Sequence, residues 1–165
     1  MENLKKKLWT TLTIIWSILM IAQITLAFFY QKDYLPFAKN LGWVLVFLSA
    51  IFGILPIITF RIKGRVEKGK SYMHTKKIVT CGIYSIIRHP QYMAGMLINI
   101  GIILISQHWI IVIIGITVIV FNFFDALRAD QELIKKFGKQ YFDYMNIVPR
   151  LNFISGIIRL IKRMR

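Results

Sequence analysis

RHPQYMAGMLINIGIILISQHWIIVIIGITVIVFNFFD, residues 88–125, decides the architecture. Between Arg88 and Asp125 there is no Asp, Glu, Lys or Arg, and the polar triplet Ser106, Gln107 and His108 divides the stretch into two predominantly apolar arms. Two apolar arms, residues 91–105 and 109–124, joined by so short a polar link, read as a tight helical hairpin. Each arm falls a little short of the ~20 residues that a bilayer crossing needs. The arms gain length by extending into residues 84–90 or 125–130.

The rest of the chain agrees with a membrane setting. Of 165 residues, 56% are hydrophobic and 18% charged, with a mean hydropathy of +0.58. A soluble domain of this length has to cover its surface with polar groups, and this one has too few. Residues 8–30 form an uncharged run of 23, and residues 42–60 form another, with Pro56 near its end. Residues 1–7 followed by so long a run read as a retained first span rather than a signal peptide. The expectation is an all-α polytopic membrane protein of about four spans, a single membrane domain over residues 1–165. Residues 1–62 supply two N-terminal spans, 63–90 a basic loop, 91–128 the hairpin and 129–165 amphipathic helices.

The formal net charge is +15, from 22 Lys and Arg against 7 Asp and Glu. Its distribution excludes a nucleic-acid surface, because the basic residues gather at the ends of apolar blocks. Lys and Arg number three before the first span, two in the 31–40 link, eight over residues 61–90, none at 106–108 and nine from Asp125 onward. Cytoplasmic loops carry the excess, so four spans place both termini and the 61–90 loop in the cytoplasm. Cys81 is the only cysteine, which excludes an internal disulfide and a thiol-rich metal site; no metal is expected.

The tail carries two helical patterns. Leu133, Phe137, Tyr141 and Tyr144 recur at helical spacing and predict one face of a helix over residues 128–145. Farther on, Phe153, Ile154, Ile157, Ile158 and Ile161 alternate with Arg159, Lys162, Arg163 and Arg165, and Asn152 stands where a cap belongs. A basic amphipathic helix of this kind lies in the membrane interface and favours anionic headgroups.

Candidate chemistry sits where the basic loop enters the hairpin. Arg88, His89, Tyr84 and Tyr92 cluster there, and Pro90 suits a helical first turn, whose N–H groups and positive dipole end form a cradle for a carboxylate or phosphate. Singly, each side chain has an ordinary interfacial explanation: a snorkelling arginine, a capping histidine, belt tyrosines. At the far end, Asn122, Asp125, Arg128 and Ala129 share a helical face, with Asp130 and Glu132 within a turn. A hairpin returns its two ends to one side, so Arg88 and His89 should face Asp125, Asp130 and Glu132 across a polar cleft.

The pattern Gly82-x-Tyr84-x3-Arg88-His89-Pro90-x-Tyr92-x2-Gly95, followed by a charge-free hairpin, resembles the isoprenylcysteine carboxyl methyltransferase family. So does Leu133-x3-Phe137-Gly138-x2-Tyr141-x2-Tyr144-x3-Val148-Pro149-Arg150. The broader group includes phospholipid N-methyltransferases, and the resemblance covers roughly residues 76–152. It implies transfer of a methyl group from S-adenosylmethionine to a lipophilic acceptor that arrives through the bilayer, with the cofactor in a cytoplasm-facing pocket. Carried over by position, it assigns cofactor contacts to Lys76, Lys77, Ile78, Val79, Tyr84 and His89. The family's cofactor-holding Glu-Glu pair falls on Ala129 and Asp130, and its substrate arginine on Asp125; Arg128 and Glu132 stand close enough to substitute. An acid in place of that arginine points to an acceptor that is not itself anionic.

A displaced methyl needs alignment and desolvation above all. A base helps only an acceptor that must lose a proton. Arg88, Asp125, Arg128 and Asp130 are the candidate catalytic residues. Asp125, Asp130 and Glu132 are the candidate bases, while Lys76, Lys77 and Arg88 are candidates for a cofactor carboxylate. Two rivals differ in kind. One is an NADPH-dependent reductase of the sterol-reductase type. The other is a non-catalytic four-span module, which would place an ionisable group inside a span.

Overall fold

The computed structural model describes residues 2–63 and 77–164. Lys76, one of the expected cofactor contacts, lies outside the described residues, as do Gly64 and Gly69 of the basic loop. Among the described residues the protein is all helical. The α-helices are α1 (Glu2–Phe29), α2 (Pro36–Lys63), α3 (Pro90–Ser106), α4 (Trp109–Phe137), α5 (Lys139–Ile147) and α6 (Phe153–Met164). A 3-10 turn, Gly82–Ser85, precedes α3.

Among the described residues three helices are long and apolar enough to cross a membrane: Lys7–Phe29 within α1, all of α2, and α4. Large apolar side chains stand exposed along them, among them Ile18, Ile21, Phe47, Ile54 and Ile113. Such surfaces are stable against lipid tails and costly against water. The fold is that of a polytopic integral membrane protein. The fourth apolar helix, α3, is shorter, at 17 residues, or about 25 Å of rise.

Its expected extension back into residues 84–90 does not occur. Pro90 opens the helix, and the two residues before it turn their backbone donors elsewhere: Arg88 N–H reaches Pro149 O at 3.0 Å and His89 N–H reaches Arg150 O at 3.2 Å. The gain in length falls to α4 instead, which runs without interruption to Phe137. The single helix expected over residues 128–145 is in fact two. Gly138, at φ +58°, breaks it in a conformation that side chains rarely adopt.

The chain divides into two compact units. The first comprises residues 1–48 and 96–122. There α2 and α3 touch at paired glycines: a Cβ on Gly42 would lie 2.7 Å from Gly101 O, and one on Gly101 2.8 Å from Gly42 O. Any side chain at either position would push the two backbones apart. The link after α1 is pinned to the hairpin turn. Lys32 N–H reaches Ser106 O at 2.9 Å, Ser106 Oγ donates to Tyr30 O, and the Gln107 amide bonds both Leu35 N–H and Leu35 O.

The second unit comprises residues 49–95 and 123–165. Its core is Tyr141, Tyr144 and Val148, with Ile78, Leu133, Ile134, Phe137 and Met145 packed around them. The periodic residues of the tail therefore do share a face, across the break at Gly138. Asn152 caps α6 by accepting from Ser155 N–H at 2.9 Å, as the sequence predicts.

Candidate functional site

The second unit holds a cluster of buried charge around Asp130, which is 2% exposed. The cluster begins with the 3-10 turn. Gly82 adopts φ +61°, and its Cα packs so close to Thr59 that a Cβ would lie 3.2 Å from that side chain. The turn buries Tyr84, whose ring meets Phe60 edge-on at 4.9 Å and whose carbonyl accepts from the Tyr144 hydroxyl at 2.6 Å. From there the chain passes straight to Arg88 and His89, both buried.

Four side chains converge on the Asp130 carboxylate. On Oδ1, Arg88 Nη1 donates at 3.1 Å, the Tyr141 hydroxyl at 2.6 Å, and His89 Nε2 lies at 2.6 Å. On Oδ2, Arg150 Nε donates at 2.6 Å. An ionised carboxylate only accepts, so His89 carries its proton on Nε2. The His89 ring lies edge-on to Tyr92 at 5.5 Å.

The balance of charge is uneven. One carboxylate faces two guanidinium groups, Arg88 and Arg150, so the cluster keeps an excess positive charge. Arg88 Nε is buried and has no partner. A buried donor left unmet costs about 1–3 kcal/mol, more when charged, and an anion would relieve both deficits together.

The tyrosines are held neutral. Burial pushes the Tyr141 phenol well above its usual range, and the neighbouring Asp130 charge adds to the rise. Burial does the same for Tyr144. Both are thereby committed as hydrogen-bond donors over the ordinary pH range.

The structure brings Arg88, His89 and Asp130 into direct contact, as a returning hairpin requires. Asp125 lies half-buried about one and a half turns before Asp130 on α4, and Arg128, also half-buried, about half a turn before it; Arg128 Nη2 pairs with Glu132 Oε1 at 2.8 Å. Both belong to the charges that bear on Tyr92 at the start of α3. Ile78 packs on the tyrosine core, Val79 is buried and Lys77 is exposed. Sequence reasoning did not single out Tyr141 and Arg150 as site residues. Tyr141 stands eleven residues, about three helical turns, after Asp130. That spacing was available as a signal, but it reads equally as core periodicity. Arg150 closes the second pattern that carries the family resemblance, which gives it no role of its own.

Comparison with known proteins supplies the family. The profile described as phospholipid methyltransferase matches residues 37–140. The chain belongs to the phospholipid methyltransferase family. It is also similar to curated proteins named protein-S-isoprenylcysteine O-methyltransferase. It is 35% identical to the Xenopus laevis protein over 97 residues, covering 56% of this chain and 32% of that relative. With the B form from Arabidopsis thaliana it shares 30% identity over 123 residues, 67% of this chain and 57% of the relative. With the Rattus norvegicus protein it shares 30% over 142 residues, 79% and 49%. The chain thus spans between about a third and somewhat over half of these relatives. The matched region contains Arg88, His89 and Asp130 and ends at Gln140, just before Tyr141. Neither a reductase nor a non-catalytic module is what the family's description names.

Proposed function

We propose that this chain is an integral-membrane, S-adenosylmethionine-dependent methyltransferase acting on a lipid or isoprenoid-like acceptor carried in the bilayer. The observation that carries the reading is the Arg88–His89–Asp130–Tyr141–Arg150 cluster with its surplus positive charge, of which Arg88, His89 and Asp130 lie inside the family-matched residues.

These residues fit the cofactor. Its carboxylate is the anion that the unmet Arg88 Nε and the charge surplus call for. Arg88, His89 and the first turn of α3 would hold that end, with Lys76, Lys77, Ile78, Val79 and Tyr84 along the remainder. When bound, S-adenosylmethionine supplies a methyl group already activated by its sulfonium centre. The chain's own task is alignment and exclusion of water. Asp130, with four partners on its two oxygens, has little capacity left to take a proton. It acts as a positioning residue that fixes the Arg88 fork and the His89 tautomer. Asp125 and Arg128, farther toward the membrane on α4, are assigned to the acceptor end, with Asp125 as the base where the acceptor must lose a proton.

Topology follows from the positive-inside count: both termini and the site face the cytoplasm, and the acceptor enters from the lipid side. Anionic headgroups meet the basic face of α6.

Calorimetric titration of the purified protein with S-adenosylhomocysteine and with NADPH tests the reading. Binding of the first and not the second is expected, and Arg88→Ala should weaken it at least tenfold. Binding of NADPH alone, or unchanged affinity in Arg88→Ala, overturns it. Radiolabelled methyl transfer to total membrane lipid then identifies the acceptor.

A further inference from the structure

The C-terminal helix is built directly onto the segment that carries Arg88 and His89. Gly156 is buried against Ile86, and a Cβ there would collide with Ile86 O. Phe153 meets Phe52 edge-on at 5.1 Å. Arg163 Nη2 donates to Ser85 O at 2.9 Å. The stretch leading into α6 takes the backbone donors of Arg88 and His89 on Pro149 O and Arg150 O, and Tyr144 holds Tyr84 O. Every residue from Tyr84 to His89 except Ile87 is thus touched by a contact from residues 144–163, and Ile87 itself is fully buried.

The rest of α6 points away from this seat. Ile154, Ile158 and Ile161 form an exposed apolar stripe. Arg159 and Lys162 form a basic stripe beside it, and the helix contains no acid. A shallow groove of about 480 Å³, lined by Asn152, Ile154, Ser155, Ile158, Arg159 and Lys162, lies along the border of the two stripes. Apolar side chains next to uncompensated cations match the boundary between acyl chains and anionic headgroups.

We infer that α6 is a lipid-coupled strap: an anionic phospholipid headgroup held by Arg159 and Lys162 seats the helix, and the seat holds residues 84–89 in the geometry that joins Arg88 and His89 to Asp130. Membrane charge thereby sets how well the site is assembled. The cofactor readout below rests on the methyltransferase reading; the exchange readout does not.

The test uses the full chain in nanodiscs of phosphatidylcholine alone or of phosphatidylcholine with phosphatidylglycerol. Hydrogen–deuterium exchange reports on residues 82–89, and S-adenosylhomocysteine titration reports on the site. Each cation near an anionic surface is worth roughly a fivefold change in association. Exchange at residues 84–89 should therefore slow at least about fivefold with phosphatidylglycerol, and cofactor affinity should rise in parallel. R159Q/K162Q should remove both responses, as should raised salt. Gly156→Ala, which unseats α6 without changing charge, should leave residues 84–89 unprotected in both lipids. Equal exchange in the two lipids, a lipid response retained by R159Q/K162Q, or full protection in Gly156→Ala would each overturn the strap. Absence of S-adenosylhomocysteine binding in every lipid would instead count against the methyltransferase reading, with the exchange data still deciding the strap.

Discussion

Asp130 is the residue on which the second unit turns. Its carboxylate and Arg88 are both almost completely buried, with side-chain exposures of 3% and 6%. Breaking a buried pair from one side leaves an uncompensated charge, at a cost of about 3–5 kcal/mol. Asp130→Asn should lower stability by about that amount, read as a fall in thermal midpoint in detergent. Arg150 is 30% exposed, so solvent screens its contact, and Arg150→Ala should cost clearly less than Arg88→Ala. The tyrosines contribute a pH dependence with a definite sign. Their phenols are raised in the folded chain, so an unfolded chain loses those protons first, near pH 10. Stability from Tyr141 and Tyr144 is complete below that pH and falls as pH rises above it. Tyr141→Phe should flatten the alkaline decline in a pH series of unfolding measurements. A wild-type decline that the substitution leaves untouched would contradict the assignment.

At the scale of elements, Gly138 and Asn152 make the tail work. The tyrosine periodicity is legible in sequence, yet it does not reveal that the helix stops. A single glycine leaves the helical region there, and sequence periodicity continues across the break because α5 resumes on the same core. A Cβ at Gly138 has nothing within 4 Å, so the cost of Gly138→Ala is conformational rather than steric. It should destabilise by about 1–3 kcal/mol, and a stability equal to wild type would show that the backbone relaxes freely. Asn152→Ala removes the cap on α6 and should cost about 1 kcal/mol, visible as increased exchange confined to the first turn of that helix. The start of α3 shows the opposite limit. Its arm looked able to lengthen backward, and what prevents this is a pair of hydrogen bonds to Pro149 and Arg150, some sixty residues away in sequence.

For the whole molecule, the sole cysteine is a natural topology probe. Cys81 is exposed and precedes the motif turn. On the cytoplasmic orientation proposed from the positive-inside count, a membrane-impermeant maleimide should label Cys81 in inverted vesicles and not in sealed, right-side-out ones. Labelling from the outside would reverse the orientation. Contacts of long sequence separation dominate the second unit: Arg88 with Asp130, Tyr84 with Tyr144, Ser85 with Arg163. Arginine and histidine at the start of one helix acquire meaning only when a carboxylate from another arrives beside them.

The amino-acid sequence alone determined the membrane class, the hairpin, the cap at Asn152 and the approach of Arg88 to Asp130. Each follows from local physics: an uncharged stretch must enter lipid, and a short polar link must send it back. Tertiary structure alone decided which donors complete the Asp130 shell, where α3 begins, and that the tail folds back over the motif. Those depend on which buried polar group finds which partner. Tyr141 and Arg150 satisfy a buried carboxylate, and no spacing along the chain announces that need before the hairpin has closed.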